Sequence, residues 1–167
     1  VEIEKTMGKG YRWINPICWL NKNYLSNQLG SDSEFFRLEL FYALPSTNTF
    51  LLNSINDLLI TNNPIHVVAC ELQTNGRGRR ASRWQTGLGD SLTFSLLWRF
   101  DQGASSLSGL CLVIGIAIIR VLRHFAINTV KLKWPNDVLY SNQKLAGTLI
   151  ELRGEMLGPT YAVIGIG

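Results

Sequence analysis

Two stretches of helical spacing are set among many strand-like runs, and the two kinds do not alternate. Phe50, Leu51, Leu52, Ile55, Leu58 and Leu59 form one apolar stripe. Leu107, Leu110, Ile114, Ala117, Ile118, Val121, Leu122 and Phe125 form a second, longer one within residues 105–125. Alternating or apolar runs occupy residues 35–44, 65–72, 91–100, 129–134, 138–140, 144–152 and 161–166. The order is strand, helix, strand, long loop, strand, helix, then several strands. That is not a regular βαβ repeat, and it predicts an α+β fold in which helices flank a mixed sheet.

Local signals divide the chain further. Ser46 or Thr47 follows Pro45 as a helix cap, and Asn62-Asn63-Pro64 stops that helix. Ser141-Asn142-Gln143 reads as a hairpin turn between residues 138–140 and 144–152, and Gly158-Pro159 as another turn. Residues 107–119 are uncharged and apolar but short for a membrane span, so a buried core helix is expected. With 167 residues, 46% hydrophobic and 17% charged, the chain can bury a core and is not disordered. Val1 and Ile3 alternate with Glu2 and Glu4, Gly8-Lys9-Gly10 turns, and Tyr11-Arg12-Trp13 returns. Such a lone hairpin is marginal in water. It is assigned to a unit preceding residue 1, with a boundary at Asn15-Pro16, so residues 1–16 and 17–167 are read as separate units. Residues 21–29 read as a short helix and 30–33 as a linker.

The most distinctive chemistry lies in Gln73-Thr74-Asn75-Gly76-Arg77-Gly78-Arg79-Arg80-Ala81-Ser82-Arg83-Trp84. The net charge is +4, and removing Arg77, Arg79, Arg80 and Arg83 brings it to zero, so the basicity is local. A general nucleic-acid binder spreads its charge more widely. Gly76-Arg77-Gly78-Arg79-Arg80-Ala81 fits G-x-G-x-x-A, but no helix follows as a dinucleotide fold requires, and no Gly-Lys-Ser/Thr makes a P-loop. Two readings stand: a flexible lid that closes over an anion, and a solvated basic loop. Trp84 is either a stacking platform for a planar ring or an anchor on the core.

Three further motifs qualify as site material. Lys131 and Lys133 share one face of a strand that ends in Pro135-Asn136-Asp137, which suits nucleotide phosphates or a simple turn. Lys144 precedes Ala146 and Gly147, small residues that leave room at a strand for a ligand. Ser46-Thr47-Asn48 offers hydroxyl and amide groups beyond its capping role. His66 and His124 have no G-x-S-x-G partner, and no paired carboxylates stand out. Cys18, Cys70 and Cys111 form no metal-ligand pattern and fit a reducing cytoplasm. No signal peptide opens the chain. Cations and neutral donors around an anion suit acyl-adenylate formation.

Taken in order, Ser46-Thr47-Asn48, Gln73, Gly76-Arg77-Gly78-Arg79-Arg80, Trp84, Lys133-Trp134-Pro135-Asn136-Asp137 and Lys144-Leu145-Ala146-Gly147 resemble the landmarks of biotin protein ligases, biotin–[acetyl-CoA-carboxylase] ligases of the bifunctional ligase/repressor type. The resemblance covers about residues 40–167. It implies a mixed sheet related to class II tRNA synthetases. It also implies ATP, Mg2+ and biotin as substrates, and transfer of biotin to a lysine of a biotin carboxyl carrier protein. Lys144 and Arg79 would be catalytic. Ser46, Thr47, Asn48, Gln73, Gly76, Arg77, Arg80, Trp84 and Gly147 would hold biotin or its adenylate, and Lys133, Asn136 and Asp137 would serve the nucleotide. No resident metal site is implied. Residues 1–16 resemble the wing of a winged helix-turn-helix whose recognition helix would precede Val1, so specific DNA binding is not expected of this chain. A homodimer is among the expected partners. The family often has Gly where Ala81 stands, and its catalytic domain continues past Gly165-Ile166-Gly167, so the fold is expected to be incomplete at the C-terminus. A lipoate or octanoate transferase shares the fold and stands as the alternative, as does a repressor fragment without catalysis.

Overall fold

Seven of the strand-like runs pair edge to edge into one mixed sheet, in the computed structural model that describes residues 3–14, 17–58, 65–101, 103–154 and 156–167. A separate antiparallel hairpin comes first, β1 (Ile3–Thr6) and β2 (Gly10–Trp13). Helix α1 (Lys22–Leu29) follows, capped by Asn21, whose side chain accepts from the Tyr24 N–H. Next come β3 (Phe36–Leu44), α2 (Thr47–Leu58), β4 (Ile65–Gln73), a two-residue pair β5 (Gly76–Arg77) and β6 (Arg83–Trp84), and β7 (Thr93–Phe100). Helix α3 (Leu110–His124) leads to β8 (Val130–Lys133), β9 (Asp137–Tyr140), β10 (Gln143–Gly154) and β11 (Thr160–Ile166).

The large sheet runs β3-β4-β7-β11-β10-β9-β8. Only β3 and β4 are parallel, joined by α2 as the crossover, and every later pairing is antiparallel. The expected mixed sheet with flanking helices is what forms. The expected helix stop at Asn62-Asn63-Pro64 and the boundary at Asn15-Pro16 lie outside the described residues.

Pairing register sorts side chains onto two faces. Val68 of β4 lies opposite Ser95 of β7, and Leu97 lies opposite Val163 of β11, so these share a face. Helix α2 lies on it. Leu51 and Ile55 close the core with Val68, Leu97 and Val163, and Phe41 and Phe50 pack at its edge with rings 5.0 Å apart. The opposite face carries α3. There Gly115 lies against Leu132, so close that a Cβ would stand 2.5 Å from Leu132 Cδ1.

The expectation of a buried core helix at 107–119 is corrected. Only Gly115 of α3 is buried, and Val113 is 60% exposed. The helix covers just the β8–β10 end of the sheet as a single layer, so one stripe faces inward while its apolar residues run all round. Ala104–His124 is long and apolar enough to cross a membrane by length and composition; here it packs on the sheet.

His66 is buried beside Arg37, and burial followed by the Arg37 charge, partly opposed by Glu39, holds its pKa below the ordinary imidazole value. Above that value neither folded nor unfolded chain is protonated at this ring. Below it the unfolded chain gains a proton that the folded chain resists, so stability falls with pH. Urea unfolding between pH 7 and pH 5 is expected to show this loss, and His66→Asn is expected to flatten the slope.

Candidate functional site

The cleft lies on the α2 face, beyond the helix N-terminus, and has a volume of about 540 Å³. Its floor is made by three glycines that share this face: Gly147 of β10, Gly165 of β11 and Gly167 just past β11. A Cβ on Gly165 would stand 2.2 Å from Asn48 Oδ1, and one on Gly167 2.6 Å from the Trp84 ring nitrogen. Absent side chains therefore open the space and let α2 and β6 come down on the sheet.

Lys144 reaches this floor by a bulge. It pairs with Leu139, whereas Ala146 pairs with Val138, so Leu145 is an extra residue in β10. In a regular strand residues 144 and 147 point to opposite faces. The inserted residue puts Lys144 on the face of Gly147 and Asp137. Its Nζ stands 2.7 Å from Asp137 Oδ1, an ion pair without a directed hydrogen bond, and 4.9 Å over the Trp84 ring.

One wall is the first turn of α2. Pro45 leads in, Ser46 is the cap, and the Thr49 N–H donates to Ser46 Oγ at 3.4 Å. The Thr47 N–H donates to Gln73 Oε1 at 2.8 Å, joining the helix start to the end of β4. Asn48 uses both amide protons, toward the Leu149 carbonyl at 3.2 Å and Glu151 Oε2 at 2.9 Å, which fixes its Oδ1 as an acceptor. Ser95 Oγ, 2.6 Å from that oxygen, gives it its only proton. The 2.7 Å contact between Ser95 and Thr47 then takes its proton from Thr47. The 3.2 Å approach of Thr47 Oγ1 to Gln73 Oε1 consequently carries none.

The other wall is the Gly/Arg segment, which folds as a small hairpin. Gly76 pairs with Trp84 and Arg77 with Arg83, and the Gly78 N–H donates to the Ser82 carbonyl at 2.7 Å. Arg80 and Ala81 both take positive φ, 53° and 58°, a conformation that glycine adopts without the usual steric cost. The chain therefore turns back at Arg80-Ala81 instead of continuing as a helix, which is the physical reason no dinucleotide fold forms here. Arg77 donates through Nε to Thr49 Oγ1 at 3.1 Å and pairs through Nη2 with Glu151 Oε2 at 2.7 Å. Arg79 donates to Asn136 Oδ1 at 3.1 Å. Arg80 and Arg83 make no hydrogen bond or ion pair with the described residues. Two arginines are thus held and two are free, an arrangement between the flexible lid and the solvated loop.

Ser46, Thr47, Asn48, Gln73, Arg77, Arg79, Arg80, Trp84, Asn136, Asp137, Lys144 and Gly147 all line the cleft. Gly76 and Lys133 do not. Gly76 is buried beneath Trp84 and Gln73, where a Cβ would meet the Trp84 carbonyl at 2.5 Å; its role is close packing of the hairpin. Lys133 shares the face but lies at the sheet edge, exposed. Asn48 lines the cleft and also braces its wall, since both its protons and its oxygen engage partners inside the protein. Sequence reasoning missed Ser95, Thr148 and Glu151. Ser95 gave no signal within its strand. Thr148 donates its N–H to the Asn136 carbonyl at 3.0 Å, a contact between strands that no local pattern reveals.

Comparison with known proteins decides the family. Residues 40–167 match the biotin/lipoate A/B protein ligase family. The chain belongs to that family. Over 169 residues, covering 100% of the chain and 50% of the relative, it is 38% identical to the bifunctional ligase/repressor BirA of Escherichia coli. The chain spans about half the length of the curated relatives it matches. Among solved structures, the Helicobacter pylori biotin acetyl coenzyme A carboxylase synthetase with bound biotinylated ATP is 28% identical, with a TM-score of 0.60 over 78% of this chain and 60% of that one. The Aquifex aeolicus biotin protein ligase in complex with biotin and ATP is 27% identical, with a TM-score of 0.61 over 78% of this chain and 50% of that one. The mixed sheet is therefore the biotin/lipoate A/B protein ligase sheet.

The Ser95 hydroxyl is central to the wall of this ligase-family cleft. Ser95→Ala strands Asn48 Oδ1 in a buried position, and the expected cost is about 1–3 kcal/mol of unfolding free energy. Equilibrium urea denaturation measures it.

Proposed function

We propose that this chain carries the acyl-activating site of a biotin protein ligase. The observation that carries this reading is the lining of the cleft: Arg77, Arg79, Arg80, Arg83 and Lys144 with one lining carboxylate, Asp137, beside the polar first turn of α2, and Glu151 behind Arg77. A cationic cleft at a helix N-terminus favours a polyphosphate, and the hydroxyl and amide groups of Ser46, Thr47 and Gln73 favour a neutral polar ring. The relatives that bind biotin together with ATP supply the specific pair.

In the proposed first step a carboxylate oxygen of biotin bonds to the α-phosphorus of ATP. The bond from that phosphorus to the bridging oxygen breaks, pyrophosphate leaves with the electron pair, and biotinyl-5′-adenylate remains. Lys144 and Arg79 offset the charge gathered on the phosphate oxygens. Trp84 gives a flat apolar surface, and Asp137 holds Lys144 in place. In the second step a lysine amine of a biotin carboxyl carrier protein bonds to the acyl carbon, the acyl–phosphate bond breaks, AMP leaves, and the amine releases its proton to solvent. Among the described residues there is no cluster of three or more His, Cys, Asp or Glu, and Asp137 is already paired. In this proposal magnesium enters with ATP as part of the substrate, coordinated chiefly by phosphate oxygens and water. Such chemistry in a reducing cytoplasm completes the proposal.

Incubation of the purified chain with biotin and Mg-ATP is expected to yield biotinyl-5′-adenylate by mass spectrometry. Lys144→Ala is expected to lower its formation by about a hundredfold or more, and Arg79→Gly to release it into solution. Lipoate in place of biotin is expected to yield no adenylate. Product from lipoate alone would move the assignment to the lipoate branch, and absence of any adenylate would sink the proposal.

A further inference from the structure

Glu151 is absent from the cleft lining, yet two of the cleft's walls meet on it. It lies on β10 opposite Val163, on the α2 face, and its side chain is about a quarter accessible, at 26%. A single oxygen, Oε2, accepts from Asn48 Nδ2 at 2.9 Å and pairs with Arg77 Nη2 at 2.7 Å. Asn48 belongs to the first turn of α2, and Arg77 belongs to β5 of the hairpin. Arg77 also reaches α2 through Thr49 Oγ1 at 3.1 Å. Helix start, hairpin and sheet are thus joined at one atom.

We infer that Glu151 is a positioning residue, acting through Arg77 to hold the hairpin in register with the α2 N-terminus. The inference rests on the proposed ligase reading and deepens it. Arg77 has several flexible bonds and is more exposed than Glu151, at 39%. Without an anchoring carboxylate its guanidinium samples many positions, and the hairpin depends on the two-residue ladder of β5 with β6. With the anchor in place, Arg77 is committed at both Nε and Nη2, which leaves Nη1 for a ligand anion. Neutralising Glu151 frees the hairpin without removing any group that touches the reacting atoms. Binding therefore weakens while the chemical step proceeds.

The test uses Glu151→Gln, Arg77→Gln and the double variant. Gln keeps the shape, and its oxygen can still accept from Asn48, so the helix start stays satisfied while the charge that anchors Arg77 is lost. In adenylate formation Glu151→Gln is expected to raise the KM for biotin and ATP about tenfold, with kcat within about twofold. In the double variant Glu151→Gln is expected to add nothing to the loss from Arg77→Gln. Hydrogen exchange gives a readout free of activity: the amides of Gly78 and Ser82, which close the hairpin, are expected to exchange faster in both single variants, while those of β4 do not change. Additive losses in the double variant, a fall in kcat alone, or unaltered exchange at Gly78 and Ser82 would overturn the inference. Faster exchange throughout the chain, with a lowered melting temperature, would also overturn it in favour of a structural role. If the wild-type chain forms no adenylate yet the exchange pattern responds as stated, the ligase reading fails and the positioning role stands.

Discussion

The Asn48 side-chain amide is the contact on which the site depends. It spans from the first turn of α2 to two strands, with its oxygen satisfied by Ser95 on β7 and its protons by Leu149 and Glu151 on β10. A buried amide with a missing partner costs about as much as a lost buried hydrogen bond, so this one is either fully satisfied or strongly destabilising. Full satisfaction is possible only if the helix sits close to the sheet, and that closeness requires Gly165 beneath it. The helix terminus, with its partial positive charge, is consequently fixed at one end of the cleft before any ligand arrives.

The two sides of the cleft differ in how they are held. Apart from the Asn48–Glu151 contact, the α2 side rests on hydrogen bonds among the neutral groups of Thr47, Asn48, Gln73, Ser95 and Leu149, which salt weakens little. The hairpin side rests on Arg77 and Arg79, both of which reach partners across partly exposed surface. Such contacts contribute little individually and are screened by ions. The cleft thus has one rigid wall and one adjustable wall, and the cations lie mostly on the adjustable one. Under the proposed ligase reading, that division suits a cleft that admits a large polyphosphate and later releases a different nucleotide.

Much of the fold was legible in the sequence, because apolar period is a local signal. The two helical stripes, the strand runs and the hairpin turn at residues 141–143 read directly, and the irregular order of elements pointed to a mixed sheet. The depth of burial of α3 was not legible. An all-round apolar helix reads as core, and only the sheet's extent shows that nothing among the described residues covers Val113, Ile116 and Val121. For the site, residue types were legible and geometry was not. Arg77 and Lys144 announced themselves as cations beside glycines. Nothing local told that Asn48 would spend its amide inside the protein, that Gly76 would lie under Trp84, or that Glu151 would join two walls from a strand of ordinary appearance.

The bulge at Leu145 gives the site a different kind of dependence. Most functional side chains are specified by identity: change the residue and the group is lost. The face on which Lys144 stands is specified by pairing: Leu145 stays outside the ladder, so Lys144 and Gly147 act as residues two apart. Removing Leu145 would leave Lys144 and Gly147 two apart in a regular ladder and still on one face, whereas drawing Leu145 into the ladder would send the ammonium through to the α3 face with every letter of the motif preserved. What the cleft needs at Leu145 is therefore a backbone that steps out of the ladder, a property that the letters of the motif do not spell out.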